Sequence, residues 1–184
     1  AIFEKDVETD GNNSFDELEG PRGVATWTVG GKTYAIVASQ TDDGVQIIDI
    51  SNPAAIVALD DETDGVNGFT ELNGAHGVAI WNATSTTVTS GEGSSGEPFI
   101  STYAIVASLA DDGVQIIDLS DPTAILALDA ETDNANGFDE LNAASGVDTF
   151  TCGKRTYAIV SSNDDDGIQL IDITNPTNIV AVTS

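Results

Sequence analysis

The feature that most constrains this chain is internal repetition. "TYAIVASQTDDGVQIIDISNP" (33–53), "TYAIVASLADDGVQIIDLSDP" (102–122) and "TYAIVSSNDDDGIQLIDITNP" (156–176) are near copies. An acidic stretch repeats with them: "DVETDGNNSFDEL" from Asp6, "DDETDGVNGFTEL" from Asp60 and "DAETDNANGFDEL" from Asp129. Tyr103 and Tyr157 are 54 residues apart, and so are Asp6 and Asp60. Trp81 and Tyr103 are 22 apart whereas Trp27 and Tyr34 are 7 apart, so the middle copy carries an insertion, read as 82–102. A fixed period of this length marks a repeat architecture, in which each unit buries its apolar face on the next.

Each unit reads as four strands. The first is "AIVALD" (55–60) or "AILALD" (124–129), followed by the acidic loop; the second is "GVATWTV" (23–29), with equivalents "GVAIWNA" and "GVDTFTC". "TYAIVAS" and "GVQIIDI" are the third and fourth, joined by "TDDG", "ADDG" or "DDDG". Asp-Gly between two apolar runs is a hairpin signal, because Gly supplies positive φ and Asp tolerates it. Val, Ile, Tyr and Thr dominate, the apolar runs are short and no helical period is present. The expected fold is all-β: three four-stranded antiparallel propeller-like blades at 1–53, 54–122 and 123–176, plus a spare carboxyl-terminal strand at 177–184.

The consensus "YAIVAS…DGVQIIDISNP" resembles the LVIVD-type repeats of propeller-like bacterial and archaeal cell-surface proteins, over nearly the whole chain. That resemblance implies a propeller-like fold and an extracellular or cell-surface setting. It implies no defined activity, and it does not extend to the acidic loops.

Charge narrows the partners. Against 31 Asp and Glu stand 5 Lys and Arg, a formal net charge of −26. Nucleic acid and anionic membranes are therefore poor partners, and no run approaches the ~18 apolar residues of a membrane span. Such a balance suits bound cations or a salt-rich medium. One cysteine, Cys152, excludes an internal disulfide. The chain lacks methionine and starts "AIFEKD", so it is expected to have been processed after export or cut from a larger protein. Asn12 in "NNS" and Asn82 in "NAT" fit the N-glycosylation acceptor pattern.

The acidic stretch has the spacing of a twelve-residue calcium loop, which supplies oxygens from positions 1, 3, 5, 7 and 12 around a sharp turn at 6. Position 1 is Asp6, Asp60 or Asp129; position 3 is Glu8, Glu62 or Glu131; position 5 is Asp10, Asp64 or Asp133. The turn residue is Gly11, Gly65 or Asn134, types tolerant of positive φ. Backbone carbonyls of Asn12, Val66 and Ala135 would serve at position 7, and Glu17, Glu71 and Glu140 would be the bidentate twelfth ligands. Up to three Ca2+ ions are expected. The competing reading is a solvated acidic loop copied by duplication. Phe15, Phe69 and Phe138 are expected to anchor the loops in the core.

Catalytic constellations are not evident, and the chain reads as no enzyme. His76 is the single histidine and is replaced by Arg22 and Ser145 in the other copies. "GEGSSG" (91–96) has no helix to receive a phosphate. Asp49, Asp118 and Asp172 are expected to bond the turns that follow them, and Trp27, Trp81 and Phe150 to pack between blades. The reading is a calcium-stabilised extracellular module for scaffolding, adhesion or self-assembly, forming a homo-oligomer or filament through 177–184. The alternative is a carbohydrate- or protein-binding propeller fragment of a larger surface protein, with the insertion and His76 as its singular features.

Overall fold

The structure, a computed structural model, describes residues 5–85 and 99–182. It contains twelve strands: β1 (Pro21–Val29), β2 (Lys32–Ser39), β3 (Gly44–Asp49), β4 (Val57–Thr63), β5 (Ala75–Ser85), β6 (Phe99–Ser108), β7 (Gly113–Asp118), β8 (Leu126–Thr132), β9 (Ala144–Cys152), β10 (Arg155–Ser162), β11 (Gly167–Asp172) and β12 (Val180–Ala181). These form three four-stranded sheets, β1–β4, β5–β8 and β9–β12, each a meander of antiparallel neighbours. The all-β fold of propeller-like blades is therefore present. Among the described residues no helix is long and apolar enough to cross a membrane.

The grouping of strands departs from the repeat boundaries. The "AIVALD" run was expected to open the next unit, but as β4 it pairs with β3, Asp49 opposite Val57 and Gly44 opposite Thr63. The seven-residue "ISNPAAI" connection folds β4 straight back on β3, whereas the longer acidic loop carries the chain on to a new sheet. The sheets thus span 21–63, 75–132 and 144–181, and the divisions at 53/54, 122/123 and 176/177 fall within them. The carboxyl-terminal run is the copy left over in the repeat count. Its place in the fold is the fourth position of the third sheet, where β12 pairs with β11, Ala181 opposite Ile171. Strand pairing with another copy is therefore not needed to satisfy Val180 and Ala181.

Hairpin conformation also differs in detail. The positive φ in the β2–β3 type of turn falls on Asp43, Asp112 and Asp166, at 53–58°, not on the following glycine. The glycine is needed for space: a Cβ on Gly44, Gly113 or Gly167 would overlap the carboxylate of Glu17, Glu71 or Glu140.

The sheets stack in sequence. One face of the first sheet, with Trp27, Ile36, Val45 and Ile47, meets Val106, Ile117 and Leu119 of the second, and Phe69 and Leu72 of the connecting loop lie between them. The other face of the second sheet, with Trp81, Ile105, Val114 and Ile116, meets Val160, Ile171 and Ile179 of the third around Phe138 and Leu141. Phe15 and Leu18 cover the outer face of the first sheet at Ala35 and Ile48. One sequence accordingly shows two burial patterns. β3 and β7 are buried along their length because both sheet faces are covered, whereas β11 alternates because one face is.

Candidate functional site

Each acidic loop is tied down by the same bonds. A two-residue turn with positive φ at Asn67 (51°) and Gly68 (89°) closes on the bond from Phe69 N to the Val66 carbonyl, 2.8 Å. Asn-Gly suits such a turn because both central residues must adopt positive φ. The turn delivers Phe69, 0% exposed, into the seam between sheets, as its counterparts deliver Phe138 into the next seam and Phe15 onto the outer face of the first sheet. Gln46, Gln115 and Gln169 are the fasteners that sequence reasoning missed. Their side-chain oxygens accept the amides of Asp16, Thr70 and Asp139 at 3.0–3.2 Å. The Gln46 and Gln115 amides donate to the carbonyls of Asp60 and Asp129. A glutamine repeated three times inside the apolar "GVQIID" run was the available signal.

The expected calcium ligands are spread over separate tasks. Two position 1 aspartates cross between sheets, Asp60 and Asp129 accepting the backbone N–H of Ile125 and Ile179, while Asp6 of the first loop accepts that of Ile56, all at 2.7 Å. Position 3 carboxylates accept from an asparagine amide, Glu8 from Asn13, Glu62 from Asn67 and Glu131 from Asn136. Position 5 carboxylates, on Asp10, Asp64 and Asp133, accept the amides of Leu18, Leu72 and Leu141. The carbonyls of Asn12, Val66 and Ala135 accept the phenylalanine amides. Among the described residues no three Asp, Glu, His or Cys side chains converge as a ready shell for a metal ion. Within each loop the three carboxylates are instead held by different donors, an isoleucine N–H, an asparagine side chain and a leucine N–H. The turn at Gly11, Gly65 and Asn134 does adopt positive φ as expected.

A different acidic cluster forms around the twelfth-position glutamate. Oε2 of Glu17 and of Glu71 is buried without a hydrogen-bond partner. Burial, and then Asp42, Asp61, Asp10 and Asp43, pushes Glu17 up to about 8. Burial, followed by Asp111, Asp64, Asp112 and Glu131, does the same for Glu71. Three chain segments thus supply each cluster: loop, outer strand and hairpin. The hairpin aspartates also stitch the seam, since Asp43 accepts the Gly74 amide and Asp112 the Ala143 amide, both at 2.8 Å.

A pH dependence follows. The folded state holds protons on Glu17 and Glu71 that the unfolded chain releases near 4.5. Their contribution to stability is therefore fully present below about 4.5 and is lost as pH rises through about 8. In the absence of divalent cations, melting temperature is expected to fall across that window. Glu71→Gln should raise it at pH 8 and flatten the profile. A profile identical to that of the parent chain would show that Glu71 is not held protonated.

Other singled-out residues have structural surroundings. Asp49, Asp118 and Asp172 accept the amides of Ser51, Ser120 and Thr174, as expected. The Ser51 bonds, with Lys32, hold Asp49 down to about 2. Trp27 and Trp81 are buried and tilted against Tyr34 and Tyr103, whereas Phe150 is exposed. The His76 ring bonds the Ser145 carbonyl of the next sheet, 3.0 Å. Cys152 is free and exposed at the β9 end. Asn12 and Asn82 are exposed, and "GEGSSG" lies outside the described residues.

Stacked meanders joined by repeated loops define the class: an all-β repeat protein of propeller-like blades. Residues 28–59 match the LVIVD repeat. No curated protein matches it. The fold is similar to the crystal structure of a functionally unknown protein from Desulfotomaculum acetoxidans DSM 771, with a TM-score of 0.57 at 14% identity over 89% of this chain. The chain spans 41% of that protein's length.

Proposed function

We propose that this chain is a non-catalytic module of an extracellular or cell-surface protein, which serves scaffolding, adhesion or self-assembly and is stiffened by calcium at its acidic seams. The observation that carries the calcium part is the pair of partnerless buried oxygens on Glu17 and Glu71, each among four further carboxylates. The ion pairs among the described residues, Lys32–Asp49 and Arg155–Asp172, lie at the opposite strand ends from Gly44 and Gly167. The charged neighbours that raise Glu17 and Glu71 are all carboxylates, so added positive charge there would be favourable. Calcium would supply that charge, bound by Glu17 or Glu71 with the hairpin aspartates turning from their present bonds to join them. With dissociation constants on the order of 10⁻⁴–10⁻³ M and calcium ~100-fold above them, each independent site would contribute ~2.7 kcal/mol.

Melting at moderate salt, with calcium and then with chelator, tests this. A fall on chelation supports the reading, with Glu71→Gln losing one bound ion by titration. An unchanged melting temperature removes calcium from it. Calcium and the pH effect oppose each other at Glu71, so the glutamine variant should be the more stable protein in chelator and the less responsive one in calcium.

The length comparison favours a second reading, in which these blades are an arc of a longer propeller that binds a carbohydrate or protein. Its specificity would rest on the chain's singular features, His76 and the insertion 82–102, of which residues 86–98 lie outside the described residues. A glycan array or pull-down with the insertion deleted tests it, and mass measurement of native material reads the glycosylation of Asn12 and Asn82.

A further inference from the structure

The third sheet presents to solvent a face that the first two bury. Ile36 and Ile105 are 0% exposed and their counterpart Ile159 is 37% exposed; Val45 and Val114 are 0% exposed and Ile168 is 63% exposed. A hollow of about 310 Å³ lies over this face, lined by Gly146, Val147, Asp148, Ile159, Ser161 and Ile168.

The molecule shows twice what such a face accepts. On the first sheet it takes Phe69, Leu72 and the inner strand β5; on the second it takes Phe138, Leu141 and β9. Close approach of the inner strands explains a repeated glycine. A Cβ on Gly23 would overlap the His76 carbonyl, and one on Gly77 would overlap the Ser145 carbonyl. Gly146 holds the same repeat position, yet its only near neighbour is the Ser161 side chain. The glycine that a following inner strand requires is present, while no such strand lies against it among the described residues.

The opposite end of the molecule offers that strand. Arg22 stands at the repeat position of His76 and Ser145, and Val24 at that of Val78 and Val147. Val78 and Val147 are partly buried by the preceding sheet, whereas Val24 is 65% exposed. Thr26 shares its position with Thr149, whose hydroxyl donates to the Ile80 carbonyl across the seam at 3.1 Å. Phe15 and Leu18 already sit where Phe69 and Leu72 sit in the next seam.

We infer that the open face of the third sheet docks the β1 end of a second copy, so that the internal seam is repeated between molecules. This rests on the self-assembly part of the proposed function, and it replaces strand pairing through 177–184 with packing of whole faces. The contact is heterologous. Two copies that close reciprocally make a ring of six blades, and copies that do not close make a filament.

Sedimentation of the 184-residue chain from micromolar to millimolar concentration, at moderate salt with calcium, tests the inference. Concentration-dependent association is expected. Ile168→Asp and Val24→Asp replace side chains that are more than half exposed, so the fold should survive, and each should weaken association at least about tenfold. Mixing the two variants should restore a one-to-one dimer, because each retains the surface the other has lost. Gly146→Ala should weaken association at unchanged melting temperature. A parent chain that stays monomeric at millimolar concentration overturns the inference, as does association unaffected by both aspartate variants. Calcium-dependent melting of the same samples separates the two ideas: a monomer still stabilised by calcium sinks the docking alone.

Discussion

Phe69→Ala is expected to lower the melting temperature by roughly 6–20 °C, from a cost of about 3–5 kcal/mol for emptying a buried phenylalanine site. Phe69 is 0% exposed and lies in the seam with Trp27, Tyr34, Ile36, Val106 and Ile117. Two sheets lose contact with it at once, and neither can move to fill the space while its strands stay paired. Phe15→Ala removes the same side chain from a smaller cluster, where Ala35 and Ile48 are the other buried members, and its loss should be smaller. Circular dichroism melts of the two variants provide the comparison. Equal losses would mean that the stacked seam adds nothing beyond what one loop and one sheet supply.

Gly77→Ala should be comparably damaging for a different reason. The φ at Gly77 is not positive, so alanine suits the backbone and the harm is wholly steric. Its Cβ would press on the Ser145 carbonyl and crowd the Val147 amide, both backbone atoms of β9, which is paired along its length with β10. Either the second and third sheets move apart or the strand buckles, at a cost of roughly 3 kcal/mol or more. Gly146→Ala is the internal control, because the flexible Ser161 hydroxyl can turn away from the added methyl group. Thermal melts in which both substitutions cost the same would show that the seam does not depend on close approach of the inner strands.

Strands and hairpins were legible because apolar runs of four to seven residues alternate with Asp-Gly turns, and both signals are local. The phase of the repeat was harder to read. "AIVALD" adjoins the acidic loop in sequence, but its partner in space is β3, and the short turn between them was the clue to that pairing. The anchoring role of Phe69 was visible from its place beside a turn signal. The fate of the carboxylates was not. Spacing fixes how many residues separate Asp60, Glu62 and Asp64, but not that the first two lie on a strand or that Ile125 arrives from the next sheet to claim Asp60. Gln46, Gln115 and Gln169 escaped notice because a single polar residue in an apolar run resembles a tolerated exception. Their burial at 0%, 1% and 6% shows instead that each is bonded into place.

The offset between repeat and sheet bears on how such a protein changes length over evolution. Because the duplicated segment runs from the outer strand of one sheet into the body of the next, a crossover between equivalent points in two copies, such as Asp60 and Asp129, joins the first half of β4 to the second half of β8. The product still contains whole sheets in unbroken register, and each new neighbour meets a face built like the one it left. Recombination can therefore add or remove a blade at almost any matching point without leaving a strand orphaned, and the number of blades is freer to vary than the structure of any one of them.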